Sequence, residues 1–339
     1  MIRHLGFVSG PSSSDMVPQL FQHFPCLRVL RLAIPIASYE GMDMIRHYCP
    51  ELQQLVLGRG YGTQDPEDDL LQQGEFHALL LKQYATTVES VEVLIYPSFI
   101  PSIRGLLHDP VVLYRLRSLR YCRDFRFHGV DFIQWIILRA PNIQFVEAIG
   151  GGVQAPILQN LTHRHVKRIN LEWATFSGDL DQHEFLQHHV HLGKNSPLQD
   201  LKCDIVKPFT SRECWLYLIP DLQQLKSFEI FVTYDQDEDE WINLLSHIAR
   251  GCSSLEKITL TFSASLSPRE WILPLSQNPR LKSLVIVCDT VSIDMLATLE
   301  HFQHLESLHL KLKYVDWKAI AGFKSKMPGL ESTIQKAHQ

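Results

Sequence analysis

Apolar and polar positions along the chain follow one short phrase: apolar, two polar, apolar, one variable, apolar. It starts at Ile2, Leu27, Leu52, Val88, Leu116, Ile143, Val166, Leu198, Leu225, Leu255, Leu281, Leu305 and Leu330, thirteen starts lying 23 to 36 residues apart. The last two apolar residues alternate with variable ones, so each phrase predicts a strand with one buried face. Between phrases the apolar spacing turns helical. Residues 38–48 form one such stretch. Asp237 to Arg250 forms another, with acidic residues at its start, Trp241, Leu244, Leu245 and Ile248 on one stripe, and Gly251 placed as a C-cap. Ser292 to Leu305 places Met295, Leu296, Leu299 and Phe302 in the same way. Five of the six tryptophans (135, 215, 241, 271 and 317) fall in these segments, where they are expected to pack helices onto strands.

The bare phrase is common in any soluble sequence, so the repeat rests on two further signals. Proline stands one or two residues before six starts, as Pro25, Pro50, Pro141, Pro197, Pro279 and Pro328; background usage predicts about one. A charged residue followed by serine fills the second and third slots six times, as in Glu89-Ser90, Arg117-Ser118 and Glu306-Ser307. Proline ends the preceding helix and directs the chain into an extended conformation. A strand and a helix in about 27 residues cannot bury both their faces alone, and stacking on neighbours solves this. The expectation is one α/β solenoid over residues 1–339, of 12–13 irregular repeats, with a parallel sheet inside and helices outside. Residues 58–87 read as a longer acidic insertion carrying Asp65-Pro66-Glu67-Asp68-Asp69.

Composition narrows the function classes. Apolar residues make up 45% of the 339 and charged residues 20%, enough to bury a large core. Thirty-two Lys+Arg against 37 Asp+Glu give −5, which argues against a dedicated nucleic-acid binder. No apolar run reaches membrane-spanning length and no secretory leader is visible. Seven scattered cysteines without a C-x-x-C pair fit a reduced compartment, cytoplasmic or nuclear, better than a disulfide framework.

The phrase resembles the leucine-rich repeat, whose strands line the concave side of a horseshoe-shaped solenoid. Tyr48-Cys49-Pro50-Glu51-Leu52-Gln53-Gln54-Leu55-Val56-Leu57 and Gly251-Cys252-Ser253-Ser254-Leu255 are similar to the cysteine-containing subtype found in the repeat arrays of F-box proteins. The loose spacing looks like the F-box arrays of fungi and plants. The resemblance implies substrate recognition for a cullin–RING (SCF-type) ubiquitin ligase. The F-box that binds a Skp-family adaptor is not visible, and Ile2, Leu5 and Phe7 already read as a strand phrase. A stand-alone scaffold, or a GTPase-activator-like regulator using an exposed arginine such as Arg59 or Arg104, are the alternatives.

Candidate chemistry is sparse. His183-Glu184-Phe185-Leu186-Gln187-His188 has one residue too many for H-E-x-x-H, which turns the second histidine about 100° off a zinc-binding helix face. It reads, with His163, His165, His189 and His191, as a solvated face. Gly58-Arg59-Gly60-Tyr61-Gly62-Thr63 lacks the third glycine of a dinucleotide loop, and Glu240 stands where a calcium loop needs glycine. No catalytic set, metal site or cofactor is expected. Binding is expected instead on the variable slots of the concave face, at Arg31, Glu92, Leu94, Arg120, Glu147, Ile149, Asn170, Glu172, Lys202, Asp204, Glu229 and Phe231. Mixed charge with apolar anchors there suits a protein partner.

Overall fold

The computed structural model describes residues 3–7, 21–32, 39–58, 77–94, 110–122, 130–150, 152–173, 179–205, 214–233, 237–263 and 270–336. They fall into two compact units, Met1–Gly150 with Gln159–Val166, and Gly151–Leu158 with Lys167–Gln339.

Thirteen phrases become thirteen strands. Unit 1 holds β1 (His4–Phe7), β2 (Val29–Leu32), β3 (Gln54–Gly58), β4 (Ser90–Leu94), β5 (Ser118–Cys122) and β6 (Phe145–Ile149). Unit 2 holds β7 (Arg168–Trp173), β8 (Asp200–Ile205), β9 (Ser227–Val232), β10 (Lys257–Phe262), β11 (Ser283–Cys288), β12 (Ser307–Leu312) and β13 (Glu331–Lys336). Within each unit the strands follow chain order, all parallel, and the register puts equal slots opposite one another. Leu30 faces Leu55 and then Val91; Phe228 faces Ile258 and then Leu284. This is the α/β leucine-rich-repeat fold, with an open sheet.

The backbone explains the phrase. At eight of the starts the apolar residue closes a turn with the carbonyl three residues back, as in Leu27 to Phe24, Leu225 to Leu222, Leu281 to Asn278 and Leu305 to Phe302. The next two N–H groups then share one carbonyl of the preceding rung. Gln53 and Gln54 both donate to Arg28, Glu89 and Ser90 to Gln53, Lys226 and Ser227 to Gln199, and Lys282 and Ser283 to Glu256. The charged and serine slots are thus positioned by main-chain bonds, with their side chains at least partly exposed.

Helices cover the other face of the sheet: α1 (Tyr39–Tyr48), α2 (residues 77–83), α3 (Val130–Arg139), α4 (Ala155–Leu161), α5 (Asp179–Leu192), α6 (Glu238–Gly251), α7 (Ile293–Leu299) and α8 (Trp317–Lys326). Helix α2, with Ala78, Leu80 and Leu81 buried, occupies the second half of the stretch read as an insertion; Asp65–Asp69 lies outside the described residues. Two longer 3-10 segments stand where other rungs of unit 2 have α-helices, Trp215–Asp221 and Glu270–Gln277, each with an internal proline (Pro220 and Pro274) that cannot donate to an α-helical ladder. Caps are local: Asp237, Ser292 and Asp316 each accept a backbone N–H from the first turn of α6, α7 and α8.

Three expectations change. Gly251 is the last residue of α6, not a left-handed cap. Glycine is needed there because a Cβ would collide with the carbonyl oxygen of Pro220 in the neighbouring rung. Trp135, Trp215, Trp241 and Trp271 are buried, Trp241 stacking on Trp271 at 4.9 Å, but Trp317 is 62% exposed at the first position of α8. His189, expected on a solvated face, is 1% exposed. It belongs to a buried stripe with Gln182, Phe185 and Leu186 at i, i+3, i+4 and i+7.

The two cysteine-type rungs have a shared mechanism. The Cys49 thiol donates to the carbonyl of Phe24 at 3.5 Å, and the Cys252 thiol to that of Ile219 at 3.2 Å. Asn278, three residues before its own phrase, donates through its amide to the carbonyl of Cys252 at 3.3 Å. Each side chain ties its rung to the carbonyl of an earlier one. Burial pushes the Cys49 thiol up to about 11 and the Cys252 thiol up to about 12, so both stay protonated donors.

Candidate functional site

The face of the sheet opposite the helices carries the variable slots, and parallel register assembles them into rows. In unit 1 the fifth-slot row runs Arg31, Val56, Glu92, Arg120, Glu147. Arg120 lies between two carboxylates, its Nη1 3.6 Å from Glu92 Oε1 and its Nε 3.2 Å from Glu147 Oε2. The next row pairs Gly58 with Leu94 and Cys122 with Ile149. All six unit 1 residues expected on the binding face stand on it. Val56 between them is buried, which sets Arg31 apart from the Glu92–Arg120–Glu147 chain.

In unit 2 the fifth-slot row runs Asn170, Lys202, Glu229, Thr259, Val285, His309. The seventh-slot row runs Glu172, Asp204, Phe231, Thr261, Val287, Lys311. Lys202 pairs with Glu229 at 3.6 Å. Two expected contact residues are not accessible: Asn170 is 2% exposed and Asp204 8%. The N–H of Val153, itself buried, donates to the Asn170 carbonyl at 3.0 Å, so chain runs against β7 there. Asp204 is flanked in its row by Glu172 and Phe231.

Sequence reasoning favoured charge and so passed over Thr259, Thr261, Val285 and Val287. With Phe231 they form an uncharged, partly apolar field over β9, β10 and β11, every member half-exposed. A signal was available: Ser283-Leu284-Val285-Ile286-Val287-Cys288 is apolar on both alternations, the mark of a strand whose two faces are both meant to be covered.

The histidine-rich segment forms no such site. His183 bonds Gln187 at 2.8 Å on the outer face of α5. Buried His189 meets the Ser196 hydroxyl at 3.0 Å, and that oxygen accepts the Leu198 N–H at 3.3 Å. Burial, with a contribution from the charge on His188, pulls His189 down to about 4. The pair closes a turn behind the sheet and presents no exposed nucleophile. No three metal-ligating side chains converge among the described residues, and no described helix is long and apolar enough to cross a membrane.

No family model and no curated protein matches the sequence. Among solved structures the chain is similar to the TLR13–ssRNA13 complex, with 14% identity and a TM-score of 0.49 over 93% of this chain and 43% of that one. It is similar to the Toll–Spatzle complex of Drosophila, with 10% identity and a TM-score of 0.49 over 99% and 43%. An internalin from Listeria monocytogenes gives 15% identity and a TM-score of 0.39 over 95% and 89%. The chain spans less than half the length of the first two.

Proposed function

We propose that the chain is a protein-recognition module and that it selects substrates for a cullin–RING (SCF-type) ubiquitin ligase, in the cytoplasm or nucleus. The observation that carries recognition is the uncharged field of Phe231, Thr259, Thr261, Val285 and Val287 in one register, edged by Glu229 and Lys202 on one side and by His309 and Lys311 on the other. Apolar anchors inside a polar rim are what a protein interface requires, and such fields are the usual binding surface of stacked repeats. The remaining expected residues, Arg31, Glu92, Leu94, Arg120, Glu147, Ile149 and Glu172, extend the same kind of face.

The ligase reading is supported by the cysteine-type rungs, whose thiols occupy corresponding places and tie successive rungs together. It is tested by purifying the protein from its own cells and probing the eluate for a Skp-family adaptor and a cullin. Their presence, with a substrate lost on Phe231→Asp, is the expected result. Partners eluting with neither adaptor nor cullin would leave a stand-alone scaffold.

A further inference from the structure

Strand β13 is the outermost strand of unit 2, bonded to β12 on one side only among the described strands. All 6 of its residues are at least partly exposed. Its inward slots stand opposite Leu308, Leu310 and Leu312, all buried, but hold Ser332, Ile334 and Lys336. Of these only Ile334 is apolar, and the core layer ends on it partly uncovered.

The register fixes which main-chain groups of β13 turn outward. Glu331 sits opposite Ser307, and its N–H donates to the Glu306 carbonyl at 3.1 Å. In a parallel ladder a strand's residues turn alternately to one neighbour and to the other, each with both its N–H and its C=O. Glu331, Thr333 and Gln335 thus serve β12, while Ser332, Ile334 and Lys336 aim their groups away from it. Exposed edges are commonly kept from pairing by proline or by a charge in mid-strand. This one has neither. Its charges stand at the two ends, acidic at Glu331 and basic at Lys336.

We propose that β13 pairs antiparallel with β13 of a second copy of the chain, about a two-fold axis normal to the sheet at Ile334. Opposed residues of antiparallel strands share a face, and outward groups must meet outward groups. With Ile334 opposite its own copy, Ser332 of each chain opposes Lys336 of the other, and every such pair exchanges two main-chain hydrogen bonds. The Ile334 side chains meet on the helix side and carry the core layer across the axis. On the opposite face Thr333 opposes Gln335 of the other copy, twice, as a polar cross-strand pair. The Glu331 end of each strand lies beside the Lys336 end of the other, and the two Lys336 residues stand about 14 Å apart along the strands. A parallel strand of the same polarity would set like charges side by side, so the end charges select an antiparallel copy. The edge is self-complementary, as a two-fold interface must be. It lies four strands from β9, which carries Phe231.

Sedimentation equilibrium of the whole chain tests this. The expected mass is 39.1 kDa when dilute and approaches twice that as concentration rises. Ile334→Lys and Ile334→Glu each bring like charges together on the axis, and each should stay at the single mass. Mixed in equal amounts they should restore the double mass, which requires residue 334 to meet its own copy. Ile334→Pro removes an N–H that β12 does not use and should weaken dimerisation about tenfold or more. Thermal melts close to wild type establish that each variant is folded. Phe231→Asp should leave the dimer unchanged, which separates this edge from the sheet face. A single mass for wild type at every concentration, a series growing beyond two copies, a mixture that stays single, or Ile334→Lys dimerising as wild type does would each overturn the proposal.

Discussion

The sheet faces of the two units occupy the same slots of the same rung and differ in what fills them. In unit 1 the middle strands present Glu92, Arg120 and Glu147, in which one guanidinium is shared by two carboxylates across β4, β5 and β6. Exposed pairs of this kind contribute about 0–1 kcal/mol, and a ligand must displace them before making contacts of its own. In unit 2, β9 to β11 present Phe231, Thr259, Thr261, Val285 and Val287, with no charge to desolvate and apolar area to gain. The backbone grid is common to both; recognition is a property of its filling. Counting charges along the strip therefore gives weight to unit 1, whereas the proposed recognition field lies in unit 2.

The contrast can be broken most severely from beneath. Leu225 is fully buried at the start of the β9 phrase, and Leu225→Asp, which forces a carboxylate into the core, should cost more than about 4 kcal/mol. Urea unfolding followed by circular dichroism should show the loss, and substrate capture should vanish with it.

Acid comes next, because among the described residues each unit holds one buried imidazole, His77 in unit 1 and His189 in unit 2. Burial pulls both down to about 4 from 6.5. The folded state therefore keeps them neutral while the unfolded chain takes up protons. Stability is unaffected above about pH 6.5, falls as the pH drops toward 4, and levels below it, by up to about 3 kcal/mol for each group. His189→Gln should flatten the unit 2 share of that slope in urea titrations between pH 7 and pH 4, leaving the part due to His77. An unchanged slope would mean that His189 is already protonated or solvated when folded.

The faces themselves are compared by capture. Phe231→Asp with Val287→Asp should reduce substrate capture at least tenfold, since central apolar anchors contribute about 2 kcal/mol or more. Arg120→Ala with Glu147→Ala should change it less than about threefold, with melting curves of both variants close to wild type. The opposite ranking would move the recognition surface into unit 1.

The smallest effects come from two helix glycines. Gly251→Ala drives a methyl group against the Pro220 carbonyl and should cost about 1–3 kcal/mol. Gly322→Ala, within α8 and facing open space, should stabilise by about 0.5–1 kcal/mol. Differential scanning calorimetry on the pair distinguishes a packing requirement from a generic glycine effect.

The strands were legible because the phrase states both their alternation and their entry turn; from Leu27 to Leu305 each strand begins two residues after its phrase start. What escaped was set by neighbours distant in sequence. The role of Gly251 depends on Pro220, thirty-one positions earlier, and the burial of Asn170 on where Val153 runs. The burial of His189 was legible in principle, because Gln182, Phe185, Leu186 and His189 keep helical spacing, but a search for apolar stripes skips one that is half polar. The 3-10 segments were signalled by Pro220 and Pro274, prolines placed inside rather than after a helical stretch.

One carbonyl per rung, taken up by two successive N–H groups of the rung that follows, has an implication for how such a chain changes over time. The joint is made of atoms every amino acid but proline supplies, so it is blind to which residue stands there. A whole rung can then be duplicated, deleted or exchanged as a cassette, and the copies on either side still meet a carbonyl at the right height. Spacings of 24 to 36 residues, each within the parallel register of its own unit, are what such a joint tolerates.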